Sequence, residues 1–397
     1  MNTVEKVKAL GQKAVLSSLK EASIKNVGLF KENIAEEIEK LTTKSESKTN
    51  LCVACGLNNA DIDKAFLILL ETSPEKVFMG MQIVANLINT PNMELYLPKE
   101  EALLAEKLSA LASTFQIKIV RGIINTRKIE DVLCLHMATA FDVYSLFEEG
   151  TVCGMLFSKD GKTLERYKPE TKLSDLIDFS QAKAIYAGYQ YWSLKEAKVL
   201  TVADASTGMA RALTEQDCIV ENTNQLLWKY RERSCDKCVF CREGLIQLQF
   251  EQKEITEGRG KAEFRALAQE IGEAMCEESL CSVGQLSSKC VISAFDKFSN
   301  EYDEHIKNKN CPANRCSSFT HIYIDPLLCS GCGDCMDECP QDCITGKLRY
   351  IHMIDEFDCT KCGKCGAVCV ENAVIITKDK LPKLPDKLTK VGKFRKK

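Results

Sequence analysis

Cysteine is the residue that could do unusual chemistry in this chain: 22 of the 397 residues are Cys, against only 4 His. Eight of them fall into two runs of identical spacing. Cys329, Cys332, Cys335 and Cys339 follow C-x2-C-x2-C-x3-C, and Cys359, Cys362, Cys365 and Cys369 repeat the run thirty residues later. Thiolates two residues apart can wrap one cubane iron–sulfur cluster, with Gly331, Gly333 and Gly363 letting the backbone close around it. Pairs of this spacing also bind zinc, but two complete four-cysteine runs in duplicate weigh against that reading. In the segment SCDKCVFCREG, Cys235, Cys238 and Cys241 stand two residues apart, and Cys281 follows after 39 intervening residues in SLCSVGQ.

The elements that must position these thiols are legible in part. Phe264, Leu267, Ala268, Ile271 and Met275 share one helical face, as do Val291, Phe295, Phe298 and Tyr302. With helices expected near 219–233 and 242–253, they predict a four-helix bundle that carries Cys235, Cys238, Cys241 and Cys281 at its tip. Helix N-termini there favour an anionic cluster. The stretch TTKSESKTN at 42–50 separates an N-terminal helical segment from the rest. Residues 1–217 hold only Cys52, Cys55, Cys134 and Cys153, so the other 18 cysteines crowd between Cys218 and Cys369. Cys52 and Cys55 read as small residues of a buried strand rather than a redox pair, and Cys134, Cys153, Cys276, Cys290 and Cys343 as buried thiols.

Composition decides between disulfides and metal thiolates. The opening MNTVEKVKALGQ carries charges and no apolar core, so it does not read as a signal peptide. No apolar run approaches the ~20 residues of a membrane span. The expectation is a cytoplasmic protein with no membrane span whose cysteines bind metal. A net charge of −3 gives no footprint for nucleic acid. The last twenty residues hold nine Lys or Arg and two Asp. This basic tail reads as a solvated end, or else as a dock for an acidic partner.

Residues 321–376 resemble the bacterial two-cluster ferredoxins, in which the fourth Cys of each run ligates the other cluster. The resemblance implies one [4Fe–4S] cluster on Cys329, Cys332, Cys335 and Cys369, and a second on Cys339, Cys359, Cys362 and Cys365. Val370 departs from the Pro usual after the second run. SCDKCVFCREG and SLCSVGQ resemble the single [4Fe–4S] site of the NADH-oxidising flavoprotein subunit of respiratory complex I. With the ferredoxin appended, the chain looks more like the beta subunit of electron-bifurcating hydrogenases. That implies Cys235, Cys238, Cys241 and Cys281 as ligands of a third cluster. KTLERYKPETKLSDLI looks like the family's small β-grasp domain, and KAFLILLETSPEKVFMGMQIVANLI like part of its flavin domain. Positions matching Cys218, His305, Cys311 and Cys316 resemble a zinc site, and three thiolates with one imidazole suit a closed structural zinc.

The family's glycine-rich and acidic flavin loops are missing. LKEASIKNVGLFKENIAEEI has Gly28 as its only glycine, and GLNNADIDKAF stands in place of the acidic loop. Backbone cannot approach a phosphate closely where side chains intervene; GRG at 258–260 reads as a helix connection. The expected fold is therefore α+β and multidomain. It comprises a degenerate α/β FMN/NADH-type domain (1–148), a β-grasp domain (149–205), a helical bundle with one cluster and the zinc (206–320), a two-cluster ferredoxin domain (321–377) and the tail (378–397). The expected function is a non-catalytic iron–sulfur relay in a multi-subunit oxidoreductase of anaerobic metabolism. Flavin-containing and other redox subunits are its expected partners, with FMN and NADH absent from this chain. An active FMN-dependent NADH:acceptor oxidoreductase and an iron–sulfur scaffold or sensor are the alternatives.

Overall fold

The computed structural model describes residues 3–27, 32–43, 51–124, 131–378 and 381–395. Gly28 and most of the polar stretch at 42–50 lie outside them. The chain forms two compact units. The first comprises Met1–Glu215, Asn222–Phe250 and Glu263–Ser299, and the second Gln216–Glu221, Glu251–Ala262 and Asn300–Lys397.

In the first unit, β1 (Cys52–Gly56), β2 (Asn92–Leu97), β3 (Ile117–Arg121) and β4 (Val132–His136) form a parallel sheet in the order β3-β2-β1-β4. Val53, Cys55, Leu95 and Leu135 are buried in it, the near-continuous apolar pattern that a covered parallel sheet requires. Helices Pro74–Leu87 and Met137–Glu149 supply part of that cover. The first starts on a proline, whose missing N–H costs nothing at a helix N-terminus. Because β1 lies between β2 and β4, the carboxyl ends of β1 and β4 meet at Gly56 and His136.

Downstream, β5 (Met155–Phe157) pairs with β6 (Glu165–Tyr167), and β7 (Ala182–Ala187) pairs with both β8 (Gln190–Ser193) and β9 (Ala210–Thr214). This second sheet runs on to Thr214, past the boundary expected at 205. Helix Phe264–Glu278 buries Phe264, Ala268 and Met275, the face its periodicity predicts. The stripe through Val291, Phe295, Phe298 and Tyr302 does not lie on one helix. Phe298 leaves helical geometry at φ −122° and ψ 34°, ending Lys289–Lys297 before Ser299–Ile306 begins. The apolar spacing survives that break, so it could not reveal it.

The second unit carries β10 (His321–Ile324), β11 (Ile344–Thr345), β12 (Met353–Ile354) and β13 (Val374–Thr377), with β10 antiparallel to β13 and β11 to β12. The thirty-residue repeat reappears in its hydrogen bonds. Asp325 N donates to Ala373 O at 2.7 Å, and Asp355 N to Cys343 O at 2.8 Å. Each cysteine run then starts alike, with Cys329 N on Asp325 O and Cys359 N on Asp355 O.

The described part of the tail is not a free end. Ile351 N donates to Thr389 O, Val391 N donates to Arg349 O, and Phe394 packs on the ferredoxin core. Charge pattern marked it as solvated, but backbone pairing and one aromatic ring hold it in place.

Candidate metal centres

In the first unit, a tight turn presents Cys235, Cys238 and Cys241. Asp236, in left-handed backbone at φ 58°, has its N–H held by Ser234 Oγ at 3.1 Å, and Arg242 Nη1 clamps Asp236 O at 3.1 Å. Cys241 enters the first turn of helix Val239–Thr256, and Cys281 is the N-cap of Ser282–Leu286. Burial pushes the Cys241 thiol up to about 12, and Cys281, Cys238 and Cys235 add to the shift, so the four sulfurs share one neighbourhood. A thiol raised this far is protonated at neutral pH, and only a metal taking its proton makes it a ligand. Burial also raises Cys281, while the N–H groups of Val283 and Gly284 and the Asn59 side chain oppose it. Gly284 fits no other residue easily: a Cβ there lies 2.2 Å from Ser279 Oγ and 3.2 Å from Cys241 Cβ. A donor set of four cysteines, with Gly284 leaving room beside Cys241, fits a [4Fe–4S] cluster.

The loop after β1 reaches the same region. Asn59 exchanges two hydrogen bonds of 2.9 Å with the Ile124 backbone, and Ala60 N donates to Ser282 Oγ at 3.1 Å. Tyr189 donates to Asp61 Oδ1 at 2.5 Å, and His136 Nε2 lies 3.4 Å from Asp61 Oδ2, all three groups being buried. Phe66 meets the His136 ring edge-on at 4.9 Å. In open α/β sheets ligands enter the crevice at the strands' carboxyl ends. Here the chain's own side chains stand at that edge. GLNNADIDKAF showed the altered loop, but not that Asp61 pairs with residues 75 and 128 positions away.

In the second unit, Cys339, Cys359, Cys362 and Cys365 line one cavity. The fourth Cys of the first run thus lines the same cavity as the first three of the second. Cys365 responds electrostatically to Cys359, Cys362 and Cys339 after the larger effect of burial. Cys329 and Cys332 stand in the same relation to Cys335, which burial pushes up to about 12. Cys369 accepts from Ala373 N at 3.3 Å and packs on the core shared by Cys329 and Cys335. Gly331, at φ +75°, must be glycine, because a Cβ there falls 2.8 Å from Tyr350 N. The counterpart turn at Lys361 is left-handed too, at φ 55°, and takes a side chain.

Cys218, His305, Cys311 and Cys316 are all buried, and their ligand atoms lie within 4.8 Å of one another. His305 Nε2 is 3.3 Å from Cys218 Sγ and 3.4 Å from Cys316 Sγ. Arg315 N points at Cys311 Sγ from 3.3 Å. Hydrogen bonds among the three thiols lower that of Cys311 and raise those of Cys218 and Cys316, so the three share their protons as one unit. Three sulfurs and one imidazole converging this closely, with no carboxylate among them, fit a tetrahedral zinc.

Among the other thiols, Cys55 and Cys290 are buried and Cys134 is half-buried. Cys153 and Cys276 are exposed, contrary to their reading as core thiols, since helix and loop periodicity said nothing certain about single cysteines. Cys343 is buried as expected, and its sulfur is 3.4 Å from that of Cys339. His352 escaped notice in the sequence. It is buried beside Cys329, and the thirty-residue offset, which sets it against Ile322, was the signal that could have found it.

Residues 221–305 match the family described as the NADH-ubiquinone oxidoreductase-F iron-sulfur binding region, and residues 321–370 match a 4Fe-4S dicluster domain. Among curated proteins, the chain is 33% identical over 170 residues to the NADP-reducing hydrogenase subunit HndC of Solidesulfovibrio fructosivorans, covering 43% of this chain and 34% of that one. It is 28% identical over 106 residues to a subunit of the NADH-quinone oxidoreductase of Streptomyces coelicolor, covering 27% and 24%. The chain thus spans about a third or less of the curated relatives it matches. Its fold is similar to that of an NAD+-reducing [NiFe]-hydrogenase in the air-oxidized state, with a TM-score of 0.62 at 16% identity over 75% of this chain and 64% of that one. Among the described residues no helix is long and apolar enough to cross a membrane. The chain therefore carries an iron–sulfur binding region of the NADH-ubiquinone oxidoreductase-F type followed by a 4Fe-4S dicluster ferredoxin domain.

Proposed function

We propose that this protein is an iron–sulfur electron-relay subunit of a cytoplasmic, multi-subunit oxidoreductase of anaerobic metabolism. The observation that carries the reading is the gathering of Cys339 with Cys359, Cys362 and Cys365 around one cavity, since paired low-potential clusters serve electron transfer rather than structure. One [4Fe–4S] cluster takes Cys235, Cys238, Cys241 and Cys281. A second takes Cys329, Cys332, Cys335 and Cys369, and a third Cys339, Cys359, Cys362 and Cys365. Cys218, His305, Cys311 and Cys316 hold one zinc. When bound, the clusters supply reversible one-electron storage. The protein's part is to hold the thiolates, exclude water from the buried ones, and set potentials through nearby N–H groups and charge.

On this reading the chain comprises a flavin-type domain without its flavin, a β-grasp domain, a four-helix bundle and the ferredoxin domain. Flavin chemistry belongs to a partner subunit, and FMN and NADH do not bind here. HndC is a subunit of a hydrogenase by its name, which supports a hetero-oligomeric setting. The test is anaerobic purification under conditions that retain partners, with mass spectrometry of the complex and EPR-monitored reduction of the clusters. Co-purifying flavoprotein and clusters that reduce reversibly are expected. Clusters that never reduce would leave a scaffold or sensor, and flavin bound to this chain would restore the flavoenzyme.

A further inference from the structure

The repeat lets each residue near one ferredoxin cluster be compared with its counterpart near the other. Asp325 matches Asp355, Ile324 matches Ile354, and each ligand Cys matches another ligand Cys. Where both members of a pair are buried, the match fails at two places. Cys343 stands where the second half has Ala373, and His352 stands where the first half has Ile322. Ile322, 2% exposed, lines the cavity of Cys339, Cys359, Cys362 and Cys365. His352, 1% exposed, holds Nδ1 3.9 Å from Cys329 Sγ.

The ring is fixed in that position. A Cβ on Gly346 would lie 2.2 Å from its Cδ2, so the glycine backbone packs directly on the imidazole. The tail pairs with the segment just before the ring, through Thr389 to Ile351 and through Val391 to Arg349. Nε2 has no hydrogen-bond partner among the described residues. A buried bare lone pair costs less than a buried orphan N–H, and a metal thiolate can only accept. The proton therefore sits on Nδ1, facing Cys329.

We propose that the His352 Nδ1–H donates to the Cys329 sulfur and makes the cluster of Cys329, Cys332, Cys335 and Cys369 the easier of the two ferredoxin clusters to reduce. The inference rests on the cluster assignment made above. Reduction adds one negative charge to the cluster, and a hydrogen bond to a ligand sulfur stabilises that charge. The other cluster faces the aliphatic Ile322 and gains nothing equivalent. Its neighbour Cys343 offers only a thiol, a weak donor. Two clusters built on one repeated motif are thereby ranked, and an electron arriving at the domain settles first on the one beside His352.

The test is an EPR-monitored redox titration of the full chain, reconstituted anaerobically with iron and sulfide. In the unmodified protein the two ferredoxin waves should be separate. His352→Ile should move the more positive wave to lower potential and leave the other ferredoxin wave and the bundle cluster unmoved. His352→Asn, which keeps an N–H near the Nδ1 position, should restore most of the separation. Pulsed ENDOR should find an exchangeable proton coupled to this cluster in the unmodified and His352→Asn proteins and none in His352→Ile. The reciprocal change, Ile322→His, should raise the lower wave. An unmoved wave in His352→Ile, or equal shifts in both, overturns the inference. If His352→Ile does not load iron, Ile322→His decides, and no rise of the lower wave overturns it. Unmodified protein lacking either ferredoxin cluster would instead overturn the cluster assignment, and this inference with it.

Discussion

His305 Nε2 stands 3.3 Å from the Cys218 sulfur across 87 positions of sequence. The other ring nitrogen, Nδ1, is tied to the Glu301 carbonyl at 2.8 Å. With its proton spent there, Nδ1 leaves the Nε2 lone pair facing the sulfurs, which is how a second hydrogen bond orients a metal-binding histidine. Purified without chelator, the protein should contain about one zinc per chain. His305→Ala should lose it and cost about 3 kcal/mol of stability, the scale of a lost metal site. Metal analysis beside a thermal melt checks both, and iron content should not change. Zinc-free protein of full stability would leave the four residues as a packed thiol cluster.

The three clusters proposed above imply about 12 iron and about 12 sulfide per chain after anaerobic reconstitution. Cys241→Ala should reduce the iron to about 8 while the ferredoxin signals persist. Gly284→Val should give the same partial loss for a different reason, since its side chain collides with Ser279 and crowds Cys241. Iron and sulfide assays with EPR distinguish the outcomes. Iron equivalent to a single cluster in the unmodified protein would sink the assignment.

The isolated chain should bind neither FMN nor NADH. The edge where the carboxyl ends of β1 and β4 meet is occupied by Asp61, Tyr189, His136 and Phe66, with Asp63 paired to Arg211 at 3.3 Å. A flavin phosphate needs backbone N–H groups or positive charge there, and the buried carboxylate of Asp61 opposes it. Flavin fluorescence after denaturation, with NADH titration of the clusters, should both read zero. Stoichiometric FMN, or clusters bleached by NADH with no partner present, contradicts the relay.

Glu37 should make the first unit pH-sensitive. Burial raises its carboxyl to about 7, against the opposing Asn26 hydrogen bond and with Glu32 adding to the rise. A raised folded value means its contribution is whole below the unfolded value of 4.5 and is lost as pH climbs through about 7. Between about pH 5 and 8 the protein should lose roughly 1 kcal/mol relative to Glu37→Gln, allowing for solvent screening. Urea midpoints of both proteins at the two pH values measure the difference, and parallel behaviour refutes it.

The spacing of Cys329 to Cys339 and its copy at Cys359 to Cys369 determined the ferredoxin domain, because three thiols that wrap one cluster must recur at fixed short intervals. The helical face of Phe264, Ala268 and Met275 was equally legible, since burial imposes a period on any amphipathic helix. Other features depended on contacts between distant segments. The pairing of Tyr189 with Asp61, the docking of the basic tail through Thr389 and Val391, and the break at Phe298 leave no local signature. The placement of His352 beside Cys329 belongs to the same class. A one-dimensional pattern records which side of its own element a residue faces, and only tertiary structure decides what stands opposite it.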